Sequence, residues 1–392
     1  MKHLSVLRLY FPIILFLFLI DPTGVLANSA PVHQPEPNGT LTPLSNHSIM
    51  VKEEKLQFIL REDKSEANVT VKYAFYNPTE HKEEIVLAFP YTPSKYKEIP
   101  KLLVNGKLYQ EKDISIYEKR EEYESFLDWF DSTSFLYVDP ITGQMLEDWD
   151  AYDVIEEAQI VTFQVNFPPK EEVTIQLEYT QEAGIDKESY INPVYLYQYL
   201  LQPASAWKEF HHLEVLMVVP KGQYFGANLP ISLYQGSLES FELLPGEILN
   251  NEQAWDVYIG VFDTLPSANL AFSTISTKGT AFGIMNKGIY DLLGMILLWG
   301  TSTMLVFLMA RLFNRSTKWW VKWVIGPVLS FGLVNILVFI IYGMFIEIVP
   351  SATNGDWVGG YSFIFVAFLL IIYNGLIYFP ILFFVSKRRK KL

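Results

Sequence analysis

From residue 49 onward, apolar and polar positions alternate with a period of two. Leu56, Phe58 and Leu60 alternate with polar neighbours. Val69, Val71, Tyr73 and Phe75 are separated by Thr70, Lys72 and Ala74, and Ile85, Leu87 and Phe89 follow. The pattern resumes at Val161, Phe163, Val165 and Phe167, and at Val173, Ile175, Leu177 and Tyr179. Leu213, Val215, Met217 and Val219, then Val257, Ile259 and Val261, extend it. Turn residues separate the runs, at Asn77-Pro78, Pro168-Pro169 and Pro220-Lys221-Gly222. Such alternation predicts half-buried antiparallel strands. Many short strands without intervening helices predict a β-sandwich, one large or two small, over residues 49–287. Two strand–turn–strand stretches look alike: YAFYNPTEHKEEIVL from Tyr73 and FQVNFPPKEEVTIQL from Phe163.

After residue 287 the alternation gives way to three apolar runs, Leu292 to Phe313, Val321 to Val349 and Tyr361 to Val385. Each reaches the roughly 20 residues that a membrane-spanning helix needs. Helices are expected because hydrocarbon cannot satisfy free backbone N–H and C=O groups. We place them at 288–313, 321–349 and 361–386. Arg311, Arg315, Lys318 and Lys322 lie between the first two, and Lys387-Arg388-Arg389-Lys390-Lys391 follow the third. The segment 350–360 carries Asp356 and no Lys or Arg. The positive-inside rule therefore puts the 314–320 loop and the 387–392 tail in the cytoplasm, and 350–360 outside. Trp319, Trp320, Trp323 and Trp357 fall near the expected interfaces. Asn335 and Asn374 are the strongly polar groups deep in the runs, and interhelical hydrogen bonds are their expected role. Gly326-Pro327 and Pro380 are expected kinks.

The first 27 residues read as a secretory signal. Lys2 and Arg8 precede the apolar stretch Leu9 to Ile20, and Val25-Leu26-Ala27 supplies a small-residue cleavage site. Residues 28–48, with Pro31, Pro35, Pro37 and Pro43, read as a disordered linker. The expected fold class is thus a mainly β extracellular sandwich with an acidic helical insert, followed by three transmembrane α-helices. The expected location is the plasma membrane, with the ectodomain outside and the C-terminus in the cytoplasm.

Charge sharpens this division. The 392 residues carry a net charge of −13. Residues 28–287 alone hold 39 Asp and Glu against 19 Lys and Arg, a net charge of −20. An acidic exterior argues against a nucleic-acid partner. The chain has no cysteine, which excludes disulfides, thiolate metal sites and a cysteine nucleophile.

Residues 109–159 break the strand pattern. Ile116, Tyr123, Phe126, Leu127 and Phe130 share one helical face. Phe135-Leu136-Tyr137-Val138, a turn-like Asp139-Pro140-Ile141-Thr142-Gly143 and an aspartate- and tryptophan-rich stretch follow. Residues 111–157 contain 15 acids and three bases. Three readings stay open. The insert is a solvated helical cover over a sheet edge. It is a contact surface for a cation or a basic partner, with Tyr123, Phe126, Trp129, Asp131 and Trp149 as surface candidates. Or it holds Ca²⁺ at Asp148, Asp150 and Asp153, although the glycine-containing EF-hand loop is missing.

Catalytic patterns are weak. His211 and His212 are adjacent on an expected strand and point to opposite faces, which is poor for chelation. Ser205-Ala206-Trp207-Lys208 matches S-x-x-K, but its companion motifs are absent, and Trp207 and Phe210 read as core. Tyr195, Tyr197 and Tyr199 alternate on one face, as a sugar-stacking platform or as core packing. No catalytic residue, cofactor or bound metal is assigned.

The segments VTVKYAFYNP, FQVNFPPKEEVTIQLEYT and YLYQYLLQPASAWKEFHHLEVLMVVP resemble uncharacterised bacterial surface proteins. Those have a signal peptide, a β-sandwich ectodomain and C-terminal membrane helices. The first part is also loosely similar to the vault/inter-α-trypsin type of β-domain. The resemblance covers roughly residues 50–265 and implies a fold, with no functional residues carried over. The expected function is non-catalytic binding or organisation at the cell surface, with a cationic or envelope-polymer ligand. Two alternatives stand: an accessory subunit with a membrane-protein partner, and an extracellular hydrolase.

Overall fold

The computed structural model describes residues 38–61, 66–91, 99–117, 136–145, 159–186, 190, 192–276, 284, 286–348 and 361–389. The chain divides into two compact units, one holding most of the strands and the other the three C-terminal helices.

The strands of the first unit are β1 (Thr42–Pro43), β2 (Met50–Leu60), β3 (Glu66–Tyr76), β4 (Glu83–Tyr91), β5 (Lys101–Val104), β6 (Lys107–Leu108), β7 (Ile114–Tyr117) and β8 (Gln159–Phe167). Then come β9 (Glu172–Glu182), β10 (Gly184–Asp186), β11 (Val194–Tyr199), β12 (Leu213–Pro220), β13 (Gln223–Ala227), β14 (Ser232–Leu233), β15 (Trp255–Phe262) and β16 (Leu270–Ser276). They form an eight-stranded sheet, β14-β15-β12-β2-β3-β9-β5-β6, and two four-stranded sheets, β1-β4-β8-β7 and β10-β11-β16-β13. One hydrophobic core receives side chains from all three. Phe58, Val71, Phe75 and Ile175 enter it from the large sheet, Leu87, Phe89 and Val165 from the second, and Tyr197 and Phe272 from the third.

The predicted strands are present, and the apolar rows of β2, β3, β4, β8, β9 and β12 face this core, whereas Val257 and Ile259 of β15 belong to a separate cluster. Their pairing departs from the all-antiparallel expectation at one place: β2 and β12 run parallel, Glu54 opposite Leu213. The two look-alike stretches are corners rather than hairpins. β3 pairs with β9 in the large sheet, while β4 pairs with β8 in the second. Each proline turn therefore carries the chain from one sheet to another. The two corners also bond to each other. Asn77 Nδ2 donates to the Phe167 carbonyl at 3.0 Å, and Lys170 N donates to the Asn77 carbonyl at 3.0 Å. Lys170 adopts a left-handed φ of 57° at this crossing.

Three further expectations change. Residues 38–43, placed in the linker 28–48, are buried. β1 pairs with β4, and Thr40 N donates to the Leu200 carbonyl at 2.9 Å. Ile116, placed on a helical face of the insert, lies in strand β7. Val261, placed in a buried row with Val257 and Ile259, is 54% exposed. The Asp139–Gly143 turn is present: Asp139 Oδ1 accepts from the backbone of Ile141 and Thr142, and Gly143 takes a φ of 69°.

Among the described residues, the second unit contains three helices long and apolar enough to cross a membrane. The first is Lys287–Phe313 and the third is Tyr361–Arg389, with Pro380 inside it. The second is segmented, with π-turns at Val321–Ile325 and Ser330–Val334 around a short α-helix, Gly326–Leu329, before Asn335–Ile348. Pro327 cannot donate a backbone hydrogen bond, so the helix widens around it. The Tyr378 hydroxyl instead donates to the Lys322 carbonyl at 3.1 Å, and a Cβ at Gly326 would collide with that hydroxyl. The two asparagines do meet: Asn374 Nδ2 donates to Asn335 Oδ1 at 2.9 Å, and the Ser302 hydroxyl donates to Asn374 Oδ1. Replacing Asn374 with Leu removes both bonds. Helix association measured by SDS titration in mixed micelles should weaken by about 1 kcal/mol. An unchanged titration would show that the pair contributes nothing to packing.

Candidate ligand-binding groove

The large sheet presents one face to the core, and its other face is treated in two ways. Over β12 and β15 it is covered. Leu216, Val218 and Val257 point outward there and are buried by Leu238, Leu244 and Ile248 of the crossing segment 234–254. That is why β12 is apolar on both faces. Over β3 and β9 the outer face is polar, carrying Asn68, Thr70 and Lys72 beside Gln176, Glu178 and Thr180.

At the boundary lies a groove of about 620 Å³. Its floor is the outer face of β2, β3 and β9. One wall is Glu242, Leu243 and Pro245 of the crossing segment, and the other is Ile99 and Lys101 leading into β5. This volume falls within the roughly 300–1,000 Å³ typical of small-molecule sites. Among the described residues, the four charged side chains of the lining form two ion pairs. Lys72 Nζ lies 2.6 Å from Glu242 Oε1, and Lys101 Nζ lies 2.8 Å from Glu178 Oε2. The hydrogen bond and charge of Lys72 hold the Glu242 carboxyl below its ordinary value. Gln176 Nε2 donates to Glu178 Oε1 at 2.8 Å.

Gln57 ties the floor to the wall. Its Nε2 donates to the Leu243 carbonyl at 3.2 Å. The residue is only 1% exposed, and its Oε1 makes no hydrogen bond to the described residues. An unpaired buried acceptor carries a desolvation penalty that a ligand donor would remove.

A second polar cluster sits inside the core. Glu54 on β2 is fully buried. Thr40 Oγ1 donates to its Oε2 at 3.1 Å, and the Tyr199 hydroxyl donates to its Oε1 at 3.1 Å. The Tyr73 hydroxyl lies 3.0 Å from Thr40 Oγ1 and 2.9 Å from the Tyr199 hydroxyl, and accepts from Leu41 N at 3.1 Å. Burial pushes the Glu54 carboxyl up to about 7, against the hydrogen bonds from Tyr199, Thr40 and Tyr73. Burial also raises both tyrosines well above their ordinary value, followed by the Glu54 charge. The cluster is closed to solvent and pins the N-terminal segment to the sheets.

The sequence-derived candidates fare differently. Tyr123, Phe126, Trp129, Asp131, Asp148, Trp149, Asp150 and Asp153 lie outside the described residues. Among the described residues, no three metal-ligating groups cluster. Tyr197 and Tyr199 are core residues, Tyr197 stacking on Phe272 at 4.9 Å, so the sugar-platform reading of this strand is withdrawn. Ser205 and Lys208 are both exposed, while Trp207 is buried. His211 pairs with Glu209 at 3.2 Å on the surface. Gln57 and the groove were missed, because a polar residue opposite an apolar row reads as a solvated face.

No protein-family model matches the chain, and no curated protein does. Solved structures offer distant likenesses. A Legionella pneumophila protein described as a candidate nutrient-binding protein is 13% identical, with a TM-score of 0.40, covering 77% of this chain and 86% of its own. A Deinococcus radiodurans M1 zinc metallopeptidase is 9% identical, with a TM-score of 0.27, covering 58% of this chain and 42% of its own. A Legionella pneumophila aminopeptidase A in complex with aspartic acid is 9% identical, with a TM-score of 0.24, covering 63% of this chain and 25% of its own. Likenesses this distant carry no functional argument for this chain.

Proposed function

We propose that the chain is a membrane-anchored surface protein whose β-domain, a sandwich, binds a ligand in the groove over β2, β3 and β9 without catalysing a reaction. The groove is the observation that carries this reading. It is built by dedicated chain, the crossing segment 234–254, and its floor amide has an unused buried acceptor. Its charges are tied into ion pairs, which suits holding a molecule more than transferring protons. Three membrane-length helices supply the anchor. The basic residues at 311–322 and 387–391 and the apolar N-terminus favour a β-domain outside and a C-terminus inside.

The cysteine-free chain makes orientation directly measurable. Glu239→Cys, on the exposed crossing segment, should react with a membrane-impermeant maleimide on intact cells. Ser316→Cys, between the first two helices, should react only after permeabilisation. The reverse pattern would put the β-domain inside and end the surface reading. For binding, the full chain in nanodiscs should retain envelope polymer extracted from the expressing cells. Thr70→Trp, which fills the groove from its floor, should lose that retention, and equal retention would exclude the groove as the site.

A further inference from the structure

We infer that the groove takes a neutral, hydroxyl-rich ligand, a saccharide stretch of about two or three rings, with Gln57 Oε1 accepting a hydroxyl from it. This rests on the binding reading above and adds the ligand's chemistry.

Charge supplies the first constraint. Lys72 is matched by Glu242 and Lys101 by Glu178, so the described lining residues carry no net charge. An anion entering would have to displace Glu242 or Glu178 from its lysine, and a cation would have to displace the lysines. Neither exchange offers the ligand a partner that the groove has not already satisfied. A neutral molecule leaves both ion pairs in place.

The hydrogen-bonding inventory supplies the second. The remaining polar lining is amide and hydroxyl: Gln57, Asn68, Thr70, Gln176 and Thr180. Amides and hydroxyls both donate and accept, and a sugar hydroxyl does the same. Period-two geometry places these groups on one face of adjacent strands, so they form a grid of alternating partners. Thr70 faces Gln57 across one strand pair and Glu178 across the next. The strands lie about 4.8 Å apart, so the grid offers partners across the width of a sugar ring rather than at one point.

The third constraint is Gln57 itself. Its amide nitrogen is committed to Leu243, which fixes the oxygen as an acceptor. That oxygen is buried, makes no hydrogen bond to the described residues, and belongs to a side chain of the groove lining. A ligand hydroxyl that reached it would relieve its desolvation. It would do so without bringing a charge into a buried position.

The test uses the full chain in nanodiscs and calorimetric titration with defined probes. These are maltotriose, cellotriose and tri-N-acetylchitotriose as neutral trisaccharides, trigalacturonate as an anion, spermidine as a cation and triglycine as a zwitterion. At least one neutral trisaccharide should bind, with a Kd that changes less than about twofold between about 0.05 and 0.5 M NaCl. Gln57→Leu should weaken that binding about tenfold, and Thr70→Val, an isosteric change on the floor, several-fold. Binding of trigalacturonate, spermidine or triglycine in preference to the sugars would overturn the ligand class while leaving a binding groove. Equal sugar affinity in Gln57→Leu and Thr70→Val would overturn the placement. Failure of every probe, together with unchanged polymer retention by Thr70→Trp, would remove both this inference and the binding reading.

Discussion

As pH rises from about 4.5 to about 7, the β-domain should lose about 3 kcal/mol of stability, and Glu54→Gln should abolish that loss. The cause is the burial of the Glu54 carboxyl. In the unfolded chain it titrates near its ordinary 4.5, whereas in the fold it holds its proton to about 7. Between those values the folded state binds more protons than the unfolded state, so stability falls with rising pH. The contribution is fully present below 4.5 and gone above about 7. Glutamine keeps the size and an acceptor oxygen for Thr40 or Tyr199 but cannot ionise. Hydrogen exchange of the β2 and β3 amides, corrected for intrinsic rates, measures this in the full chain. Wild type and Glu54→Gln should match at 4.5, separate progressively up to about 7 and keep a constant difference above it, with the variant better protected. Parallel profiles would mean that the carboxyl is charged in the fold at all these pH values.

The cluster shows what can be read from period-two patterning. Leu56, Phe58 and Leu60 define a buried row on β2, and stepping back one more place reaches Glu54. Tyr73 belongs to the row Val69, Val71, Tyr73, Phe75, and Tyr199 to the row Tyr195, Tyr197, Tyr199. Each phase is legible, so each side chain's face is predictable. That three rows converge on one point is not, because convergence depends on strands distant in sequence being packed together. A β-bulge between Val51 and Glu53 adds to the difficulty, since it resets the phase at the start of β2.

The same limit explains the groove. Thr70, Lys72, Gln176 and Glu178 alternate with core residues, and the alternation places them on the outer face. Nothing in that local pattern distinguishes a solvated face from the floor of a site. The difference comes from the segment 234–254, whose Leu238, Leu244 and Ile248 cover one half of the face and raise a wall beside the other. The one local clue is that β12 is apolar at both parities, with Leu216 and Val218 opposite Val215 and Met217. A strand apolar on both faces has something packed on each. The membrane-length helices were legible at once, because length and hydropathy need no tertiary partner. The acidic insert was the most distinctive stretch of sequence, and most of it falls outside the described residues.

Trp207→Ala should destabilise the β-domain by about 4 kcal/mol, at the upper end for a buried large-to-small change. Trp207 sits just after the short 3₁₀ turn Gln202–Ala206 and is 5% exposed. Its ring lies 4.6 Å from Phe75 and 4.9 Å from His47, whose own titration burial pulls below its ordinary value. Alanine leaves a cavity between these groups. It also leaves the Leu41 carbonyl without the indole N–H that donates to it at 2.8 Å. Leu41 follows Thr40, and Leu41 N donates to the Tyr73 hydroxyl, so the loss spreads to the Glu54 cluster. Two measurable consequences separate this from a simple cavity. Trp207→Phe, which restores the ring but not the N–H, should recover only part of the stability. Protection of the Leu41 and Thr42 amides should fall further than that of β9, on the far side of β3. If Trp207→Phe restores full stability, the indole donor holds nothing. If protection falls evenly across the sheet, the N-terminal segment is not what Trp207 secures.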